Sequence, residues 1–255
     1  MSTSKPSVAR VAGVLALLGV VAMLVTAVSS SAAGSSIPAS KASVAIDNLI
    51  DLSQTASGPP ASAGDTNWVD VLRTQIKTSS QKDLVFDAAL QCGIVTDTTV
   101  KSSGGTTSSA TARGTVSVRV LVDGVPAEPS SSIDATKATA DGVVYCDRIQ
   151  TLTAKFAGLN CTADATTGSV TCTDPEELRL LLRTLSAQAF NFAMADVGVG
   201  VHTITLQARA QAAVNFADDA SGGALAGAEA FTGAGSLIVD QVRLVRGQDI
   251  TIDLQ

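Results

Sequence analysis

Histidine, tryptophan and tyrosine each occur once in this chain of 255 residues, and phenylalanine occurs six times. One histidine cannot build a multi-histidine metal site. A hydrolytic triad would have to rest on His202, with Asp196 or another acid and one of many serines. No G-x-S-x-G turn presents such a serine. Rings for stacking sugars reduce to Trp68 and Tyr145, which argues against a broad carbohydrate platform. No CxxC pair is present, so the cysteines lack zinc-ligand spacing. The Gly-rich stretch 218–236 lacks the lysine and basic clamp of a phosphate loop, and reads as a mobile connection between two strands.

Basic charge is also short. There are 17 Lys+Arg against 23 Asp+Glu, a formal charge of −6. Such a surface repels phosphate backbones and offers no polybasic patch for anionic lipid, which excludes a nucleic-acid partner.

What the chain does have is an unbroken apolar run over residues 11–28, behind a head carrying Lys5 and Arg10 and ahead of a Ser/Ala tract. This is the layout of a secretory signal: basic head, apolar middle, small residues at a cleavage site near Ala32 and Ala33. As a helix the run would span about 27 Å, so a retained anchor is the competing reading. The absence of a basic cluster after the run favours cleavage. Both readings put the domain outside the cytoplasm, and contact with a membrane is confined to residues 11–28. Removing residues 1–33 takes Lys5 and Arg10 from the 17 bases, leaving 15 against 23 acids and a formal charge of −8.

In an exported protein an even number of cysteines reads as disulfides. The four are Cys92, Cys146, Cys161 and Cys172, which allow three connectivities. The short Gly-containing segment between Cys161 and Cys172 favours that pair, leaving Cys92 with Cys146. His202 stands alone, so zinc at these cysteines is disfavoured.

After the signal, residues 34–66 are rich in Ser, Ala, Gly and Pro and read as a flexible segment, with at most one short strand around Val44 to Leu52. Residues 67–255 read as one β-sandwich domain. Leu84, Phe86, Ala88, Leu90, Cys92 and Ile94 alternate with polar neighbours, which predicts a half-buried strand pointing Cys92 inward. Val116, Val118, Val120 and Val122 repeat the pattern, and Asp123-Gly124 follows as a turn. Residues 143–146, 149–156, 202–210, 236–245 and 249–254 read as further strands. Polar stretches at 101–114 and 128–142 read as loops. Short strands with this punctuation indicate a mainly β fold, an antiparallel, jelly-roll-like sandwich.

One segment departs from that pattern. Thr173-Asp174-Pro175-Glu176-Glu177 is a helix-start sequence, and Leu178, Leu181, Leu182, Leu185, Ala189 and Phe192 follow at helical spacing. These local signals favour one helix near 174–190. A central strand with Leu178, Leu180 and Leu182 on one face is the alternative.

Acidic clusters at Asp174, Glu176 and Glu177 and at Asp218 and Asp219 could offer oxygen ligands to calcium, yet no EF-hand loop is present. Helix-dipole complementarity and loop solubility explain them more simply. Asn160-Cys161-Thr162 matches a glycosylation acceptor, weakened by its middle cysteine. No cofactor motif emerges. The expectation is an exported, non-catalytic β-sandwich with a structural, adhesive or partner-binding role toward an extracellular partner or surface. A secreted hydrolase or calcium-dependent glycan-binding module using the acidic clusters is the alternative.

Overall fold

A computed structural model of the chain describes residues 41–47, 52–58, 60–102, 107–155, 161–172, 176–218 and 223–244. The run at 11–28 and the strand expected at 249–254 lie outside them. Fifteen strands follow in order: β1 (Ala42–Asp47), β2 (Leu52–Gly58), β3 (Ser62–Asp65), β4 (Val69–Thr78), β5 (Lys82–Ser102), β6 (Thr107–Val122), β7 (Val125–Pro126), β8 (Ser131–Ile133), β9 (Thr139–Asp141), β10 (Val143–Lys155), β11 (Cys161–Ala163), β12 (Val170–Cys172), β13 (Glu176–Val197), β14 (Gly200–Asp218) and β15 (Gly223–Val242). Among the described residues there is no helix.

One sheet has the order β1-β15-β5-β13, with β2 continuing β1 along β15; the other has the order β10-β6-β14-β3, with β4 continuing β3 along β14. Taking β1 with β2 as one strand and β3 with β4 as the next gives eight principal strands. Their orders, 1-8-3-6 and 5-4-7-2, are those of a jelly roll. All pairings between these strands are antiparallel.

The alternating patterns act as the sequence implied: inward residues of β5, β6 and β14 meet in one core around Leu84, Phe86, Val116 to Val122, Ile204 and Leu206. The strands run well beyond those patterns. β5 has 21 residues, about 70 Å at the usual rise per residue. A second core fills the far end with small groups, among them Ala56, Ala110, Ala112, Ala212, Ala224, Ala226 and Ala228.

Several expectations are corrected here. The flexible segment 34–66 supplies three strands among its described residues, because β1, β2 and β3 pair with β15 and β14. The loop expected over 101–114 is largely strand, since β6 begins at Thr107 and pairs with β10 and β14 throughout. The Gly-rich stretch is β15 from Gly223 onward, in the middle of its sheet. Its alanines alternate inward, and methyl-sized side chains suit the narrow second core. The β8–β9 hairpin occupies part of the loop expected at 128–142.

The helix expected near 174–190 is also corrected: from Glu176 this segment is β13, paired with β5 from Glu176 to Met194 without interruption. Asp174 and Pro175 lie outside the described residues. Helix propensities differ by less than about 1 kcal/mol per residue, and a helix gains most of its stability from burying a stripe. Here the β5 ladder pairs one side of the backbone over the whole segment; Phe192 is buried by strand alternation, and Val197 is buried beyond the register break that follows Met194.

A disulfide joins Cys92 on β5 to Cys146 on β10, with Cα atoms 6.6 Å apart, and so ties the two sheets together. Cys161 and Cys172 face each other in register across the β11–β12 ribbon, around the turn containing Gly168.

Candidate functional site

His202 lies near the start of β14, where the ladder with β4 brings it beside Thr78. Its Nδ1 is 2.8 Å from Asp123 Oδ2, and its Nε2 is 2.9 Å from the Gly198 carbonyl oxygen. The acid at His202 is therefore Asp123 of the turn after β6. Asp196, the partner considered from sequence, accepts from Gln81 Nε2 at 3.1 Å. Thr78 Oγ1 lies 3.2 Å from Nε2, so acid, imidazole and hydroxyl do line up.

Their hydrogen bonds argue against chemistry. A backbone carbonyl can only accept, so Nε2 donates to Gly198 and presents no lone pair to a hydroxyl. The Thr78 hydroxyl donates to the same Gly198 oxygen at 2.5 Å, and the residue is fully buried. The Asp123 carboxyl is held below its ordinary value. Burial raises it, but the Thr203 N–H and His202 outweigh that effect. The cluster clamps the Gly198–Gly200 turn against the β6–β7 turn.

Trp68 is half-buried on the outer face of the β6–β14 sheet. The guanidinium carbons of Arg119 and Arg209 lie 4.3 and 4.9 Å from its ring centroid, and its Nε1 donates to Asp141 Oδ2 at 2.9 Å. The ring is pinned by two cations, which leaves it a poor platform for a sugar. Tyr145 is buried and donates to the carbonyls of Ala88 and, at 3.0 Å, Gln188. It straps β10 to the opposite sheet. Burial pushes its phenol well above the usual range, and the Asp87 carboxylate adds to the rise.

A cavity of about 340 Å³ on the outer face is lined by Gly64, Asp65, Arg113, Thr115 and Asp134, among others. Arg113 binds Asp147 through Nε and Nη2 at 3.2 and 3.1 Å, and Asp134 through Nη2 at 3.0 Å. Asp147 also accepts from Thr115 and the Ala135 N–H. Asp134 accepts from the Thr136 hydroxyl and the Thr136 and Ala138 N–H groups, and its carboxyl is held far below the ordinary value by Thr136 and then Arg113. These acids hold the β8–β9 hairpin in place.

Of the acidic clusters read from sequence, Asp174 and Asp219 lie outside the described residues. Glu177 pairs with Lys101 at 2.9 Å. Among the described residues no group of three His, Cys, Asp or Glu side chains is placed to hold a metal. No described helix is long and apolar enough to cross a membrane.

The least expected surface is the outer edge of β13. This strand ends its sheet, and Leu178, Leu180, Leu181, Leu182, Leu185 and Phe190 are all exposed along it. Even-numbered residues point toward β10, as the Thr184 contact with Arg148 and the Ser186 contact with Cys92 require. Odd-numbered ones point away. Both faces of an apolar edge are thus open to solvent. By spacing these leucines suit a buried helical stripe or a central strand; they are exposed because, among the described strands, β13 pairs with β5 alone and ends the sheet.

In class, then, the described residues form an all-β, antiparallel sandwich, and the polar clusters at His202, Trp68 and Arg113 hold its loops and strands. No family model matches the chain, and no curated protein matches it. Solved structures give only distant likenesses. A CocE/NonD family hydrolase from Staphylococcus aureus aligns at 10% identity and a TM-score of 0.16, covering 81% of this chain and 37% of the hydrolase. The structure of infectious bursal disease virus Gx strain aligns at 10% identity and a TM-score of 0.14, covering 80% and 43%. This chain spans less than half the length of either, and likenesses this weak carry no argument.

Proposed function

We propose that this protein is an exported, non-catalytic β-sandwich that acts through its surface, as a structural or adhesive component outside the cytoplasm. Export rests on the apolar run at 11–28 and its flanks. The observation that carries the surface role is the β13 edge: Leu180 and Leu185 are 40% and 64% exposed on opposite faces of one strand. An edge that offers unpaired backbone groups beside apolar side chains is a template for another strand. The engagement of His202, Thr78 and the Arg113 cluster in structural ties supports a role without turnover. A Cys161–Cys172 bridge, consistent with their register, completes the proposed disulfide framework.

Fractionation of the producing cells tests this reading. The wild-type chain is expected in a surface-bound or assembled fraction. A variant carrying Leu180→Lys and Leu182→Lys should be released as free protein with an unchanged melting temperature, because edge lysines oppose strand addition. Equal retention of a folded variant would overturn the proposal.

A further inference from the structure

We infer that the outer edge of β13 pairs with the same edge of a second copy of this chain, antiparallel and centred on Leu180. The inference rests on the surface role proposed for that edge and names its partner.

The orientation of the edge follows from one clasp. Ala193 exchanges both backbone hydrogen bonds with Glu128, donating at 2.8 Å and accepting at 2.9 Å, so its N–H and C=O point away from β5. The β13–β5 register is unbroken from Glu176 to Met194. Each odd-numbered residue from Glu177 to Asn191 therefore aims its backbone groups outward in the same way. Among the described residues no strand pairs with that stretch. The opposite flank of the sandwich differs: there the chain passes from β2 to β3 and so crosses between the sheets. No proline or bulge interrupts β13 between Leu178 and Asn191, although such devices commonly blunt an edge.

A second copy is favoured because the segment complements itself. Pairing about a two-fold axis perpendicular to the sheet keeps faces matched, so residues of like parity meet. Centred on Leu180, Leu178 faces Leu182 of the second copy, Leu180 faces its own counterpart, and Glu177 faces Arg183 twice. Arg183 has no carboxylate partner among the described residues, and this register sets it opposite Glu177, which then bridges it and Lys101 of its own chain. Arg179, already neutralised by Asp97 with Nε 2.9 Å from Oδ1, falls opposite Leu181. Neighbouring registers are worse. Centres at 179, 181 or 183 set arginine against arginine, and centres at 182 or 184 set leucines against Thr184, Ser186 or Gln188. The outward orientation agrees with the choice: odd pairs become the hydrogen-bonded ones, and the leucines fall at the closer, non-hydrogen-bonded positions.

Oxidative cross-linking and sedimentation of the purified full chain test this pairing. Leu180→Cys should form a covalent dimer, while Leu182→Cys should do so only when mixed with Leu178→Cys. Arg183→Glu, at an exposed site, should raise the dimer dissociation constant about tenfold or more while leaving the fold intact, because two attractive pairs become repulsive. A wild-type monomer at all concentrations, with no Leu180→Cys dimer, would overturn the inference. So would a dimer that cross-links through Thr184→Cys instead. If removal of residues 245–255 were needed before dimers formed, the chain's own tail would be the occupant and the inference would fail. Each of these results leaves the fractionation test to decide separately whether the edge carries a surface role.

Discussion

Replacing both Cys92 and Cys146 with alanine removes the cross-link between the sheets, and the loss can be worked from the loop it closes. The two cysteines are 54 positions apart. In the chain-entropy account a loop of that length restricts the unfolded state by about 14 cal/mol/K, or about 4 kcal/mol at 25 °C. Cys92 is 1% exposed and packs in the main core, so losing its sulfur adds a small cavity cost, about 1 kcal/mol at most. For a domain of this size the total of about 4–5 kcal/mol corresponds to a fall in melting temperature of about 8–20 °C. The proposed Cys161–Cys172 bridge closes a far shorter loop, and alanines there should cost about 1 kcal/mol less. Urea unfolding of the wild type and the two double variants measures both quantities. A loss under about 1 kcal/mol at Cys92 and Cys146, or equal losses at the two pairs, would refute the reasoning.

Four further outcomes are expected. Asp134 and Asp123 both titrate below the ordinary value of 3.8 when folded, so the stability they lend is present above that pH and is lost as pH falls through the lower folded values. Asp134→Asn should therefore flatten the acid limb of urea midpoint against pH, and parallel profiles for the two proteins would contradict this. Tyr145 is the one tyrosine, and its raised pKa means no tyrosinate absorbance until alkali unfolds the protein; reversible ionisation near pH 10 would show the hydroxyl to be exposed. Gly142 has φ +79°, and a Cβ there would lie 2.6 Å from a Trp68 ring carbon and 2.8 Å from the Val118 carbonyl oxygen. Gly142→Ala should cost about 2 kcal/mol and shift the emission of the single tryptophan, so an unchanged spectrum and midpoint would count against the packing described. His202→Ala should lower stability by about 1–2 kcal/mol through lost hydrogen bonds and leave any activity intact. Abolished turnover in a folded variant would reverse the non-catalytic reading.

The local alternation of β5, β6 and β14 was legible because a half-buried strand must place apolar side chains at every second position. Val116 to Val122 and Leu84 to Ile94 show it without help from the rest of the chain. The same rule pointed Cys92 inward, and the short segment between Cys161 and Cys172 left Cys146 as its partner. The turn at Asp123-Gly124 was legible for an equally local reason. Beyond these, neighbours in space decided. Gly223 to Gly235 carries little apolar area of its own, and becomes a central strand because β5 pairs along one side and β1 and β2 along the other. Residues 178–192 suit a helix by spacing, and are drawn into a strand by the ladder that β5 provides. Asp123 reaches His202 from 79 positions away, a proximity that local periodicity does not encode. Sequence alone carried the alternation of β5, β6 and β14, the turn at Asp123-Gly124, and a preference for Cys92 with Cys146 among three connectivities. Which alternating segments would lie side by side, and so which edge of β13 stays open, depended on long-range pairing and only the tertiary structure decided it.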